Sequence, residues 1–560
     1  MHATIRGFQR VRAQRLGRRG AIAVLAAIFL VAMLAMVAFT VDIGYVAKVN
    51  AELQRACDAG ALAGAKALTD GNSNAIAAVQ QYIALNPVAG KALSADNIII
   101  DLGIWNPNTF SFTANTQTPS AVRVTLNDPN EALFFGRVLN KGTMDFSAKT
   151  IAMHQPRDIV MALDFSGSMC DDSQLGAINT LGRSYIENNL QTMYNELGAP
   201  VYGNLTFTPR YVTFTGMTPT NGNMAQITTQ FKDSAIYVTS TKNITQVRLQ
   251  FADGTTQTLG ASGTSGTFKG TGGNSSKQVS TAWVKSGTND SGSPAGQGER
   301  FADDATSLKM ALGLTNVPYP YPGASWDNYF SYVKTDSDVD NAGYTKMYGY
   351  LTWINYLQAN RQSYSQTPDL WKTSEQPAKV LKDSVSTFIG YLQASPSDDR
   401  IGMSIYTYTD QTALLENPLT ADFASVSNTV QHRQAGHYIG NTNISAGMTK
   451  ARLELQNRGR VNAFKMMILM TDGVANLPGS ASNAKNQVIN EANLCAAAKI
   501  KVVCIGLGAG ADNALLNNVS SITGGVTFSI AGGQSVGQVQ QQLEDVFRKI
   551  IDNRPLKLVQ

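Results

Sequence analysis

Asp164, Ser166 and Ser168 form a D-x-S-x-S pattern directly after an apolar run, residues 159–163, that has the length and composition of a buried strand. Carboxylate and hydroxyl oxygens at alternate positions of a loop can face one point, and Gly167 lets the backbone turn tightly between them. Oxygen donors of this kind suit a hard divalent cation. The pattern alone is a weak signal, because loops rich in serine and glycine often follow strands.

Two later stretches carry oxygen donors in similar settings. Residues 440–448 form a Gly/Asn-rich loop that carries Thr442 into the start of a predicted helix. A second continuous apolar run, residues 466–470, ends in Thr-Asp-Gly, with Asp472 as the acid. Each of the three segments therefore stands at a predicted junction between a strand or loop and a helix.

In this order, the three segments resemble the von Willebrand factor A (VWA) domain and its metal-ion-dependent adhesion site. The resemblance implies that three hydroxyls are oxygen ligands and that two carboxylates hold the ion directly or through water, namely Ser166, Ser168, Thr442, Asp164 and Asp472. It also implies Mg²⁺ as the ion, with Ca²⁺ or Mn²⁺ as alternatives, and one coordination position left for a partner's carboxylate.

Residues 377–551 alternate predicted helices with short apolar strands, which indicates a largely parallel sheet covered by helices on both faces. We therefore predict an α/β fold, the doubly wound, Rossmann-like sheet of a VWA domain, split between residues 157–171 and 373–553. The metal loop would lie at the carboxyl ends of the strands, where open α/β sheets bind their ligands.

A large β-rich insertion, residues 172–372, separates the metal loop from the rest of this domain. Residues 172–197 have helical periodicity, residues 201–290 alternate short strands with turns as in a small β-sandwich, and residues 317–371 contain thirteen aromatic residues. The aromatics form either a recognition surface or a packing surface against the VWA domain and the membrane-proximal unit. We favour packing, because most large aromatic side chains are buried.

The excess of positive charge lies at the N-terminus. Residues 1–19 contain six Arg and no acid, whereas the whole chain has a net charge of +5, so the remainder has a net charge of −1. We therefore predict no binding of nucleic acid by the body of the chain.

An uncharged run follows the basic tail and is long enough to cross a bilayer, so we assign a transmembrane helix to residues 20–42. A cleaved signal peptide fits less well, because the run exceeds the ~7–15 residues of such an apolar region. Cleavage of a prepilin type after Gly20 is disfavoured by Leu25, where a Glu would be expected. The positive-inside rule leaves residues 1–19 in the cytoplasm and everything after Asp42 outside.

Residues 42–65 continue as a helix rich in Ala and Gly. The order of Asp42, Gln54, Asp58 and the Ala-Leu-Ala-Gly-Ala run at 61–65 resembles the N-terminal region of TadG-like Tad (Flp) pilus-assembly proteins, over about residues 18–70. Close helix packing would account for the Ala and Gly content equally well. The resemblance implies a single-pass protein of the bacterial inner membrane, with residues 43–156 as a membrane-proximal helix and α+β unit and the later domains periplasmic or extracellular.

Together, the two resemblances imply a function in Tad pilus assembly or anchoring and in surface adhesion. The expected partner is a protein with an exposed acidic residue, with other pilus-assembly proteins as candidates, docked through the Mg²⁺ ion. The alternative is a structural scaffold or adhesin that acts through its β-rich insertion without metal-dependent docking.

Other chemistry has little support in the sequence. We predict no enzymatic activity, because no phosphate-binding loop, zinc spacing or Ser-His pair is evident, and His437 near Thr442 has no accompanying acid-base motif. Cys495 and Cys504 either form a disulfide or remain buried free thiols.

Overall fold

The computed structural model of the 560-residue chain describes residues 19–559, except 107–108, 118, 217–224, 288–297, 395–397, 407–412, 439–440, 462, 509, 531–535 and 553–554. The predicted basic tail, residues 1–19, lies outside the described residues apart from Arg19. The described residues form two compact units, one of residues up to Gln155 and after Arg554, the other within Pro156–Ala394 and Asp398–Asn553. This division does not test the predicted domain boundaries, which stay predictions.

The first unit combines a long N-terminal helix with an antiparallel sheet. Its elements are α1 (Arg19–Ala67), α2 (Asn72–Ala84), β1 (Ile98–Asn106), β2 (Ser111–Ala114), β3 (Ala121–Ala132) and β4 (Thr143–His154). The strands are ordered β2-β1-β3-β4, and a short C-terminal strand, Leu556–Leu558, pairs with the outer side of β4. The N-terminal part of α1 is apolar and long enough to cross a membrane.

The second half of α1 packs closely against α2 and the sheet. Leu53 and Ala61 are fully buried in a core that both helices share with β3 and β4. A Cβ at Gly60 would lie 2.9 Å from Ile83, and one at Gly64 would lie 2.4 Å from a methyl group of Val79. The small residues of this segment thus allow the two helices to approach closely.

The second unit begins with β5 (Arg157–Leu163), and the insertion follows. The helices and strands of the insertion are α3 (Ile178–Leu181), α4 (Arg183–Glu196), β6 (Arg210–Tyr211), β7 (Phe214–Thr215), β8 (Ile227–Lys232), β9 (Ala235–Ser240), β10 (Ile244–Phe251), β11 (Thr256–Gly260), β12 (Ser265–Lys269), β13 (Val279–Ser286), β14 (Glu299–Ala302), α5 (Ala305–Ala311), α6 (Trp326–Thr335), α7 (Ser337–Asn341), β15 (Met347–Tyr348) and α8 (Tyr350–Asn360). Two antiparallel four-stranded sheets, β11-β10-β13-β14 and β12-β9-β8-β7, account for most of its strands.

One apolar core runs through the whole insertion. It joins α4, both four-stranded sheets and the aromatic helices α6 and α8. Eight of the thirteen aromatic residues between 317 and 371 are buried, and Tyr329 and Trp353 are fully enclosed. Packing is therefore the main use of the aromatics, but they pack on one another and on the sheets of the insertion, because edge-to-face and stacked ring pairs fill its interior.

The remaining elements complete a six-stranded mixed sheet. They are α9 (Ala378–Ala394), β16 (Arg400–Tyr406), β17 (Ala413–Thr420), α10 (Phe423–Gln431), α11 (Ile444–Asn457), β18 (Phe464–Thr471), α12 (Ala481–Ala497), β19 (Lys501–Leu507), α13 (Asn513–Thr523), β20 (Thr527–Ile530), α14 (Val536–Asp552) and the C-terminal strand β21 (Leu556–Leu558) of the first unit. The order is β17-β16-β5-β18-β19-β20, with β17 alone antiparallel to its neighbour.

Helices cover both faces of this sheet. Apolar residues of α9, α10 and α14 pack on one face, and those of α11, α12 and α13 pack on the other. The central strand β5 is buried along its whole length, which explains its continuous apolar sequence. The predicted α/β fold class, with an N-terminal apolar helix and a β-rich insertion, is confirmed.

Three elements were not predicted, namely β17, α10 and β21, whereas the free thiols of Cys495 and Cys504 are one of the two alternatives that the sequence left open. Strand β17 contains Asn417 and Pro418 and lies at the edge of the sheet, where a proline is tolerated, so its sequence lacks a strand signature. Helix α10 is short and contains several Ser, Thr and Asn residues, and strand β21 has only three residues. Cys495 and Cys504 are free thiols, and burial raises the pKa of each to about 12.

A buried ion pair joins the start of β5 to the start of β16. Arg157 is fully buried, and its Nη2 lies 2.8 Å from Oδ2 of Asp399, while its Nη1 donates to the carbonyl of Ile550 at 3.2 Å. The backbone N–H of Arg157 also donates to Asp399 at 2.8 Å. The pair thus connects two neighbouring strands with α14.

Asp399→Ala should lower the free energy of unfolding of the second unit by about 3–5 kcal/mol, because Arg157 would remain buried without its counter-charge. Thermal and urea unfolding of the detergent-solubilised chain would measure the loss. Asp398→Ala is the matched control, since that side chain is 82% exposed and pairs with Arg460 at the surface. The control should change stability by less than about 1 kcal/mol, and equal losses for both variants would contradict the prediction.

Candidate metal centre

The register between β5 and β18 brings two of the predicted site residues to one end of the sheet. Leu163 pairs with Met470 in these parallel strands, so both chains leave the sheet at the same level. The N–H of Asp164 donates to the carbonyl of Met470 at 3.1 Å, and the hydroxyl of Thr471 donates to Oδ2 of Asp164 at 2.7 Å. Asp164 is therefore held rigidly beside the segment that carries Asp472.

A chain of hydroxyl contacts joins the remaining site residues. Thr442 Oγ1 lies 3.3 Å from Ser166 Oγ, which lies 3.1 Å from Ser168 Oγ. Ser168 in turn donates to Oδ1 of Asp472 at 3.0 Å. The N–H of Ser166 donates to Asp164 at 3.0 Å. The structure thus brings together all five side chains that the sequence singled out, although their role as metal ligands stays a prediction.

Thr442 is positioned by the start of α11 and by a side chain that sequence reasoning missed. Asn443 caps this helix by accepting from the N–H of Ala446 at 3.1 Å. Asn476 accepts from the N–H of Thr442 at 2.9 Å and returns a backbone hydrogen bond to its carbonyl at 3.2 Å. A lone Asn in a loop carries no signal in one sequence, so only the fold reveals this role.

The two carboxylates of the cluster are poorly compensated. Burial raises the pKa of Asp164, which is fully enclosed. Burial and repulsion from Asp164 raise the pKa of Asp472 well above its usual range. The groups that favour the ionised form of Asp164 are the Ser166 and Thr471 hydroxyls and backbone N–H groups, none of them a cation. Two like charges facing three hydroxyls form a donor set that fits a hard divalent cation.

The cluster differs from sites built on soft ligands. Within the described residues, no group of three or more His, Cys, Asp and Glu side chains is arranged to hold a metal. Hydroxyl oxygens supply the other donors of this site, and together with carboxylates they suit Mg²⁺ better than Zn²⁺ or Cu²⁺.

A side chain of the insertion contacts the loop that carries Ser166 and Ser168, called here the serine loop. Gln362 donates to the carbonyl of Gly167 at 3.2 Å. A Cβ at Gly167 or at Gly436 would lie 2.7 Å from Oε1 of Gln362, so a larger residue at either position would displace this side chain. Gly436, whose N–H donates to Ser166 O at 3.1 Å, closes the loop from the α10 side. These positions also escaped sequence reasoning, because nothing near Gln362 resembles a motif.

The histidines near the site are held by aromatic rings. His437 is buried, stacks on Tyr364 with ring centroids 4.9 Å apart, and contacts Tyr438 edge to face. Burial and the neighbouring Arg433 lower the pKa of His437 to about 4, so it is neutral at pH 7. His432 packs on Trp371 at 4.2 Å. His437 thus lies in the turn before Thr442 with its ring buried among aromatic side chains.

Three family models match this chain in sequence order. They are "Putative Flp pilus-assembly TadE/G-like" over residues 20–67, "Putative Tad-like Flp pilus-assembly" over residues 63–152, and "von Willebrand factor type A domain" over residues 371–542. The chain matches a TadG-like Tad pilus-assembly protein with a VWA domain. The VWA match begins at the end of the insertion, so β5 and the loop that carries Ser166 and Ser168 lie outside the matched residues, although β5 pairs with β16 and β18 of the matched region.

Solved structures that resemble part of this chain include an aerotolerance-related membrane protein from Bacteroides fragilis NCTC 9343. Its sequence identity is 16%, the match covers 31% of this chain and 90% of that one, and the TM-score is 0.25. Proximal thread matrix protein 1 from the mussel byssus has 18% sequence identity, the match covers 33% of this chain and 43% of that one, and the TM-score is 0.26. The pilus adhesin SpaC from Lactobacillus rhamnosus GG has 14% sequence identity, the match covers 32% of this chain and 28% of that one, and the TM-score is 0.25. No curated protein matches the chain.

The matches support a pilus-associated role in adhesion or assembly and protein partners, with pilus proteins among the candidates. Tad and VWA domains are typically non-enzymatic. The apolar part of α1 and the Tad match fit a membrane-anchored protein.

Asp472→Asn should abolish stabilisation of the TadG-like chain by Mg²⁺ without weakening the metal-free fold. The amide oxygen can still accept from Ser168, and the repulsion with Asp164 disappears. For the parent chain, Mg²⁺ at a hundred times its dissociation constant should add about 2.7 kcal/mol. Thermal unfolding with Mg²⁺ and with EDTA measures both effects.

Asp422→Asn is the matched control for this measurement. Asp422 caps α10 by accepting from the N–H of Ser425 at 3.0 Å, and Asn caps helices equally well. The control should keep the full response to Mg²⁺. A response that persists in Asp472→Asn would remove Asp472 from the metal site.

Proposed function

We propose that this chain takes part in Tad (Flp) pilus assembly or anchoring and in surface adhesion by docking an acidic side chain of a protein partner on a Mg²⁺ ion. Asp164, Asp472, Ser166, Ser168 and Thr442 would hold the ion. The observation that carries the proposal is the pair of buried, mutually repelling carboxylates that meet three hydroxyls at the carboxyl end of the sheet.

A bound Mg²⁺ would supply a strong, directional attraction for a carboxylate, since an ion held by protein oxygens retains exchangeable water positions. The protein would supply the rigidity of the site. Asp164 is fixed by two hydrogen bonds within the sheet end, and Thr442 is fixed by Asn476. A partner's carboxylate would then meet a preorganised centre, which limits the entropy lost on binding.

The proposed setting is the bacterial inner membrane. The basic N-terminus would stay in the cytoplasm and α1 would cross the bilayer once, leaving the domains that follow in the periplasm or outside the cell. The partner would be another pilus-assembly protein or a surface protein with an exposed acid. We propose that the chain is not an enzyme, because the described groups around the cluster hold its geometry and none of them is a positioned general base.

A cavity in the insertion favours the second candidate function, adhesion without a metal. The cavity measures about 750 Å³ and is lined by polar and basic groups, among them Arg210, Gln230 and Lys232. Lys232 Nζ lies over the rings of Tyr211 and Tyr237, at 5.0 and 4.7 Å from their centroids. Basic, amide and aromatic groups in one cavity suit an anionic or sugar-like ligand.

Retrieval of partners by the solubilised full-length chain separates the two functions. Under the metal-docking proposal, EDTA or Asp472→Asn should reduce recovery of a partner at least tenfold, whereas Asp422→Asn and Arg210→Ala/Lys232→Ala should leave it unchanged. If recovery survives EDTA and Asp472→Asn but is lost in Arg210→Ala/Lys232→Ala, the metal-free alternative is correct. Surface substitutions are preferable to deletion of residues 201–290, because the sheets share one core with α4, α6 and α8.

A further inference from the structure

The loop between β3 and β4, residues 133–142, exposes an unusual amount of apolar surface. Phe134 is 64% exposed, Phe135 is 44% exposed and Val138 is 84% exposed. The loop also carries Arg137 and Lys141, both exposed, and contains no acidic residue. Adjacent exposed apolar side chains of this size mark an interaction surface, and the two positive charges indicate a negatively charged partner.

The loop has a defined shape despite its exposure. Lys141 N–H donates to Gly136 O at 3.0 Å, and Leu133 N–H donates to Gly142 O at 3.1 Å. A Cβ at Gly136 would lie 2.3 Å from the carbonyl oxygen of Lys141, so a glycine is required for this closure. The apolar side chains are thus presented on a folded support.

Asp42 fixes the position of the loop along α1. Its carboxylate is largely buried and accepts from the N–H groups of Phe134 and Phe135, at 3.0 Å to the first and 3.1 Å to the second. Tyr45, one turn further along α1, contacts the ring of Phe134 edge to face at 4.9 Å and donates a hydrogen bond to Glu131. The loop therefore lies at the level of residues 42–45 of the helix.

That level is where α1 leaves the apolar segment. Residues 20–41 carry no charge, and the large apolar side chains between Ile22 and Val41 are mostly exposed, whereas Asp42 is the first charged residue after Arg19. A helix that spans a bilayer with this segment places Asp42 at the boundary between acyl chains and headgroups. Aromatic and basic side chains are favoured at that depth, because they combine an apolar body with polar or charged ends.

We propose that residues 133–142 form a second membrane contact, in which Phe134, Phe135 and Val138 enter the headgroup region beside α1 and Arg137 and Lys141 face anionic lipid headgroups. This inference rests on the membrane anchoring of α1 and goes beyond the metal-docking proposal. A single helix can tilt and rotate in a bilayer, whereas a second contact at its exit restricts the orientation of the first unit.

The opposite end of the same sheet offers a matched control. Phe110 is 76% exposed and lies in the turn between β1 and β2. Gly103 of β1 pairs with Ala121, the first residue of β3, whereas the proposed loop follows Ala132, its last residue. At about 3.3 Å per residue, the length of β3 separates the two positions by more than 30 Å. A label at position 110 should therefore remain in water.

The test uses the full-length chain in nanodiscs that contain anionic phosphatidylglycerol and a lipid with a spin label near its headgroup. Val138→Cys, Phe110→Cys and Leu30→Cys are each labelled with an environment-sensitive fluorophore. The four native thiols are buried and should remain unlabelled in the folded chain. Leu30 lies within the apolar segment and reports the anchoring of α1, which keeps the two claims separate.

We expect the spin label to quench the fluorophore at position 138 at least threefold more than the one at position 110, and quenching at position 138 should fall when phosphatidylglycerol is replaced by phosphatidylcholine. Emission at position 30 that is characteristic of an apolar environment, together with equal, weak quenching at 138 and 110, would overturn the proposal and leave the anchoring intact. A label at 138 that is shielded from water but not quenched by lipid would indicate a protein contact and would also overturn it. Emission at position 30 that is characteristic of water would overturn the anchoring and the proposal together.

Discussion

The parallel pairing of β5 with β18 is the constraint on which the candidate metal centre depends. Because Leu163 and Met470 are paired, the segments that carry Asp164 and Asp472 leave the sheet side by side. Thr471, which precedes Asp472, donates a hydrogen bond to Asp164 across a sequence separation of 307 residues. Side chains alternate between the two faces of a strand, so a slip of one residue would exchange the side chains that β5 presents to the two helix layers and would disturb the packing on both. The buried apolar residues of β5 thus set the geometry of the carboxylates.

The insertion is coupled to that geometry. It has its own apolar core, yet Gln362 contacts the backbone of the serine loop and Gln434, across from it, donates to the carbonyl of Thr367 at 3.0 Å. Any ligand that shifts α8 or the segment after it would disturb the support beneath Ser166 and Ser168. The insertion and the candidate metal centre are therefore mechanically connected within one unit.

In the first unit, a single helix passes from an exposed apolar segment into a folded core. The helix α1 continues without a break from the apolar segment into the core with α2, where glycines allow close packing. At the exit, Asp42 and Tyr45 bind the β3–β4 loop through hydrogen bonds and a ring contact. Asp42, which is part of the sequence resemblance to Tad pilus-assembly proteins, thus has a structural role as a hydrogen-bond acceptor.

Periodicity and motif spacing in the sequence predicted the alternating helices and strands, the long apolar helix and the five side chains of the cluster. These features are local, since apolar runs and residues at strand ends reflect burial and turn geometry over a few positions. The edge strand β17, the pairing of β21 with β4, the choice between free thiols and a disulfide, and the supporting contacts of Asn476 and Gln362 could not be predicted in this way. They depend on which distant segments become neighbours, and a polar side chain carries no sign of its partner until the packing of the apolar core has brought the two together.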